Sequence, residues 1–114
     1  MIKLTIPFPP SVNRLWRVSK NGGMYSSQKY TDWMAEATWA IIGQTRGKTL
    51  EGPYKITLLA RKPDKRHRDL DNLLKATSDA LVQAKAIESD HHCQAIAARW
   101  VTEGPACEVI LEKA

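Results

Sequence analysis

Residues 54–84 read YKITLLARKPDKRHRDLDNLLKATSDALVQA, and along them the spacing of apolar residues changes. Tyr54, Ile56, Leu58 and Ala60 recur every second position, which predicts a strand with one buried face. Pro63 closes it, because proline cannot donate to a strand ladder. Leu70, Leu73, Leu74, Thr77 and Leu81 then recur at spacings of three and four, which predicts an amphipathic helix over residues 69–84. Between the two lies Arg61-Lys62-Pro63-Asp64-Lys65-Arg66-His67-Arg68, in which six residues are Lys, Arg or His. A strand, a basic loop and a helix that opens on two acids form the unit from which the rest is read.

Upstream, Ile2, Leu4 and Ile6 alternate with polar residues and predict an opening strand, stopped by Pro7, Pro9 and Pro10. Leu15-Trp16-Arg17-Val18 and Met24-Tyr25 flank Asn21-Gly22-Gly23, a hairpin signal because Asn and Gly tolerate positive φ. Over residues 27–43 the period is helical, with Tyr30, Trp33, Met34, Ala37 and Ile41 on one stripe. Ser26 or Ser27 can cap its start and Gly43 or Gly47 its end. The tryptophans there are read as core packing in preference to base stacking. Downstream, residues 92–101 and 107–111 read as strands joined by the turn Glu103-Gly104-Pro105. This order fits an α+β two-layer sandwich, a mixed sheet with two helices on one face. A length of 114 residues makes residues 1–114 a single domain.

Lys and Arg outnumber Asp and Glu by 17 to 12, a net charge of +5. That surplus suggests a polyanionic partner without naming it. Cys93 and Cys107 make no disulfide framework. No apolar run resembles a secretory leader or a membrane span, so the expected place is the cytoplasm, away from membranes.

Asp69 and Asp71 stand two apart where the basic loop meets the helix. Asp71, Lys75 and Asp79 are four apart and share a helix face, away from the leucine stripe. A basic run is commonly just a solvated loop. Acids in a first turn commonly cap amides and favour the helix dipole. Asp71 and Lys75 could also form a surface ion pair worth a few tenths of a kcal/mol. Capping needs only one acid, however, and does not account for a basic loop delivered onto two. Mg2+ accounts for both: it takes one or two carboxylates with phosphate oxygens, and would polarise a scissile phosphate and activate water. Lys75 could then offset transition-state charge or orient the water, while Lys62, Lys65, Arg66 and Arg68 hold neighbouring phosphates. Lys75 and Arg68 are also expected to relieve repulsion among the acids. Asp90, in Ser89-Asp90-His91-His92-Cys93, could return to the helix start as a third ligand. Its ordinary reading is a turn residue, and His91, His92 and Cys93 beside it raise a zinc site as a further option, for which no second Cys or His pair stands at finger spacing. Adjacent strand residues point to opposite faces, which disfavours joint ligation by the two histidines. Spacing alone leaves capping and metal binding both open.

Three stretches carry a family resemblance: Ile6-Pro7-Phe8-Pro9-Pro10-Ser11-Val12-Asn13-Arg14, Arg68-Asp69-Leu70-Asp71-Asn72-Leu73-Leu74-Lys75, and Asp79-Ala80-Leu81. Together they resemble the RusA family of Holliday junction resolvases, found in bacteria and in lambdoid phages or prophages, over nearly the whole chain. The resemblance implies a RusA-like fold and a homodimer that binds four-way junction DNA. It implies nicking of two opposed strands in recombination and repair, with Mg2+ as one or two ions and Mn2+ able to substitute. It carries the metal acids onto Asp69, Asp71 and Asp90 and the essential lysine onto Lys75. Asn13 and Arg14 are expected to contact the DNA or to hold the loop near the site. Relatives often have two adjacent acids where this chain has Ser89-Asp90, so Asp90 is the expected ligand and Ser89 the departure. The rival readings are a non-catalytic basic DNA- or RNA-binding module of phage origin, and a structural phage protein whose acids only cap a helix.

Overall fold

The computed structural model describes residues 1–10, 16–18, 24–26 and 28–114. Its strands are β1 (Ile2–Ile6), β2 (Trp16–Val18), β3 (Met24–Ser26), β4 (Tyr54–Arg61), β5 (Cys93–Val101) and β6 (Cys107–Lys113). Among the described residues the helices are α1 (Gln28–Thr45) and α2 (Asn72–Gln83), and a 3-10 turn, Asp90–His92, leads into β5. Four strands form a mixed sheet in the order β1-β6-β4-β5. β6 runs antiparallel to both of its neighbours, while β4 and β5 are parallel. A parallel pair needs a crossover, and the loop with α2 supplies it. β2 and β3 pair as a separate antiparallel ribbon, Trp16 opposite Ser26 and Val18 opposite Met24. The turn expected at Asn21-Gly22-Gly23 lies outside the described residues.

Strand register builds the dry face. Leu4, Val109 and Leu58 line up across β1, β6 and β4, with Ile6, Cys107 and Ala60 beside them. All six are buried, whereas the alternate positions Thr5, Glu108 and Leu59 are exposed or half-buried. Trp33, Met34, Ala37 and Ile41 of α1 and Leu73, Ala76, Ala80 and Leu81 of α2 complete the same cluster. The two helices therefore cover one face of the sheet, as the alternation of β4 requires. Trp33 donates its indole N–H to the Pro7 carbonyl at 3.0 Å, which satisfies a buried donor. Trp39, on the outer side of α1, is 74% exposed.

One boundary falls at the second of the two expected caps, Gly47, and one differs from expectation. α1 runs through Gly43, and the chain leaves it at Arg46 and Gly47, with φ of 55° and 79°. α2 starts at Asn72, so residues 69–71 form a turn ahead of it rather than its first turn. Past α2, Ala86 accepts a backbone hydrogen bond from Leu50 at 2.8 Å, and Glu88 Oε1 accepts one from the Gly52 amide at 2.7 Å. Those bonds tie the segment after α2 to residues just before β4. α2 thus runs back along the parallel pair, its start near the ends of β4 and β5 and its end near their beginnings. Among the described residues no helix is long and apolar enough to cross a membrane.

Candidate active site

The basic loop is folded around Asp64. Arg68 donates to both of its carboxylate oxygens, Nη2 at 2.8 Å and Nε at 3.3 Å, and the Arg66 amide donates at 3.0 Å. The Arg68 side-chain bond, with the Arg66 amide, holds the Asp64 carboxyl below the usual carboxylate range. Asp64 is exposed and was not among the expected site residues; an acid inside a basic run is a signal for a loop organiser. Lys62, Lys65 and Arg66 are left exposed along the loop.

Asp71 occupies the N-cap of α2 with helical φ and ψ, and its side chain makes no capping hydrogen bond. The backbone explains this. The carbonyls of Asp69, Leu70 and Asp71 accept from the amides of Asn72, Leu73 and Leu74, each at 3.2 Å. These tight i to i+3 bonds satisfy the first amides of the helix, which leaves the carboxylates unengaged as caps. Asp69 accepts one bond, from Asn72 Nδ2 at 3.2 Å, and both acids are exposed. The capping explanation requires side chain to amide bonds at the head of α2, and the amides are bonded to carbonyls instead.

Lys75 does not pair with Asp71. Its ammonium lies 3.1 Å from Asp79 Oδ1, one turn further along α2. Tyr30 of α1 donates to the other Asp79 oxygen at 3.3 Å, and burial, then the Asp79 charge, pushes the Tyr30 phenol up to about 12. Asp79 thus pairs with Lys75 while bridging the two helices. The cations expected to relieve repulsion among the acids are paired elsewhere: Arg68 with Asp64 and Lys75 with Asp79.

Asp90 lies elsewhere. It begins the 3-10 turn that follows α2, with Ser89 as its cap: Ser89 Oγ accepts from the His91 amide at 3.3 Å and lies 2.6 Å from His91 Nδ1. Asp71 stands at the start of a 12-residue helix and Asp90 beyond its end, and a helix of that length spans about 18 Å. Within one chain the structure brings Asp69, Asp71 and Lys75 to one end of the sheet and leaves Asp90 near the other. Among the described residues no three of His, Cys, Asp and Glu stand together as a ready metal cage. That includes Asp90, His91, His92 and Cys93, considered above for zinc. Asn13 and Arg14 lie outside the described residues. Both cysteines are free, and burial pushes the Cys107 thiol up to about 12.

The sequence model of the family described as Endodeoxyribonuclease RusA matches residues 7–112. The crossover junction endodeoxyribonuclease RusA of Enterobacteria phage 82 is 41% identical over 83 residues, covering 71% of this chain and 67% of that protein. The protein of the same name from Aquifex aeolicus is 31% identical over 86 residues, 75% of this chain and 67% of its own length. That of Escherichia coli K12 is 40% identical over 83 residues, 71% and 67% of the two chains.

Proposed function

The chain belongs to the RusA family of endodeoxyribonucleases, and from that premise we propose that it resolves four-way DNA junctions by paired symmetric cuts. The observation that carries this reading is the pair of exposed carboxylates at the head of α2, freed from capping by the backbone and set between a basic loop and Lys75. Asp69 and Asp71 offer hard oxygen donors with open positions, a set that suits Mg2+ better than zinc; such an ion would polarise the scissile phosphate and make water a better nucleophile. Lys62, Lys65 and Arg66 grip the neighbouring phosphates. Lys75, steadied by Asp79, faces the negative charge that builds on the phosphoryl oxygens as water adds to phosphorus and one phosphorus–oxygen bond breaks.

A homodimer completes this reading. β5 is an edge strand, and its stretch Cys93-Gln94-Ala95-Ile96-Ala97-Ala98 carries no charge and no proline. Proteins normally protect such edges. Ile96 shares the helix-covered face with Ile56, yet it is 59% exposed. A two-fold axis through the middle of β5 pairs it antiparallel with its copy and covers Ile96. The same axis brings the start of one β5 beside the end of the other, so the partner subunit's Asp90 approaches the end of the sheet that carries Asp69 and Asp71. The third acid is then supplied across the two-fold, which accounts for its distance within one chain. Two such sites related by two-fold symmetry match a junction with two equivalent strands to cut.

The test is a labelled four-way junction and a matched linear duplex, each incubated with Mg2+ or with chelator. Paired nicks at symmetric positions, on the junction and with Mg2+ only, are expected. Equal binding to both substrates with no cutting would leave a basic binding module and reject the enzyme.

A further inference from the structure

A second feature lies at the same end of the sheet as the two acids. The Arg68 guanidinium sits 5.4 Å from the centre of the Phe8 ring. Phe8 lies 6.2 Å from Trp100, the two rings within 9° of parallel. The Lys62 ammonium lies 5.3 Å from the centre of the Trp100 ring. Cation, ring, ring and cation therefore follow one another from the residue before Asp69 to the mouth of an open cleft. Arg61, Lys62, Trp100, Val101 and Thr102 line that cleft, whose volume is about 400 Å³. Cation–aromatic spacing below about 6 Å is attractive, and near-parallel offset rings are a favoured arrangement.

Packing alone explains part of this. Phe8 and Trp100 are half-buried and lie against the core. Packing does not explain the cations. Lys62 is exposed, and among the described residues it has no acid partner; its contact is the indole. An ammonium resting on a half-exposed ring is easily displaced, since it gives up one weak contact and regains water. A planar group with an attached anion is the ligand that suits both: the plane takes the ring face, and the anion takes Lys62 and Arg61.

We propose that the Trp100 cleft is a stacking site for an unpaired nucleobase, with Lys62 and Arg61 holding its phosphate. Every base has a π face, so the site selects for exposure of a base rather than for its identity. Paired, stacked bases of linear duplex cannot present that face. The cleft thus favours DNA opened at a branch point and links recognition of branching to the acids at the head of α2. This rests on the DNA-cutting reading of the acids, but it has a separate readout.

The experiment uses the full chain in chelator, where nothing is cut. Binding is measured to an oligothymidylate, to a four-way junction and to a linear duplex, for the unaltered protein, Trp100→Ala, Trp100→Phe and Lys62→Gln. Trp100→Ala should bind the oligothymidylate and the junction about ten-fold or more weaker, with duplex affinity unchanged. Trp100→Phe should recover most of the loss. Lys62→Gln, a change at an exposed side chain that leaves the core intact, should weaken the single strand and lower its salt dependence. If Trp100→Ala is unstable, the Phe and Gln variants carry the test. Unchanged single-strand binding in Trp100→Ala and Lys62→Gln overturns the proposal, and so does a loss on duplex in Trp100→Ala as large as its loss on the single strand. A protein that cuts junctions with Mg2+ but shows no Trp100 effect loses this proposal alone. One that shows the effect but never cuts loses the nuclease reading alone.

Discussion

Asp71 is the residue at which two explanations meet. Its position at the head of α2 is where a cap belongs, and a capping Asp replaced by a residue that cannot accept would cost about 1 kcal/mol. Its carboxylate makes no such bond, because carbonyls have taken the amides. Asp71→Ala should therefore leave stability within about 0.5 kcal/mol in urea unfolding, while with Asp71→Asn junction cleavage is lost and junction binding in chelator persists. A loss of stability with no effect on cleavage would restore the cap. Asp79 makes a different expectation. It holds Lys75 and Tyr30 at once, so Asp79→Asn should slow cutting while leaving junction affinity in chelator unchanged. A drop in affinity as large as the drop in rate would assign Asp79 to the fold instead. Ser89 already caps the 3-10 turn through its hydroxyl, so an acid there is not needed to shape the turn.

At the scale of the element, α2 is fastened by its inner stripe and by a polar bridge to α1 through Asp79 and Tyr30. Leu73 is 2% exposed, and Leu73→Ala should cost roughly 2–5 kcal/mol, measured by urea midpoint. The two helices and β4 also carry a pH signature. The phenols of Tyr30 and Tyr54 are both pushed up to about 12, by burial first and then by neighbouring acidic groups. In the unfolded chain they ionise near their ordinary value of 10. Between those values the folded state holds protons that the unfolded state has released, so stability falls as pH rises from about 10 to 12 and is fully present below 10. Unfolding midpoints across that range should decline, and Tyr54→Phe should flatten the decline. A slope unchanged by that substitution would remove Tyr54 from the account.

Over the whole molecule, the exposed edge of β5 and the distance of Asp90 from Asp71 have one common answer in a two-fold dimer. Ile96→Asp places a charge where the two copies would meet. It should give a folded monomer by sedimentation, and cleavage should disappear with the dimer. The proposed sharing of acids between subunits makes a sharper prediction. Asp71→Asn and Asp90→Asn chains should each be inactive alone, but a mixed dimer would join both altered acids in one site and leave the other site whole. Co-expressed variants should therefore regain cutting on one strand per junction. No recovery in dimers shown to be mixed would place all three acids in one chain's own site.

The alternation of β1, β4 and β6 and the three-and-four spacing of both helices are legible in the amino-acid sequence, because burial on one face imposes a period on it. The motif around Asp69, Asp71 and Lys75 is legible for a related reason: its members lie within seven residues of one another, and local geometry places them. What the chain does not show on its own depends on contacts between distant segments. α2 begins after Asp71, and the carbonyls of residues 69–71 rather than the Asp71 carboxylate take its first amides. Asp79, which pairs with Lys75, is also met by Tyr30, 49 residues away in sequence. Trp100 met Phe8 and Lys62 only through strand order, since parallel pairing brings the end of β5 beside the end of β4. The place of Asp90 was decided by the direction of α2, a property of the crossover, and no periodicity in the sequence encodes that direction.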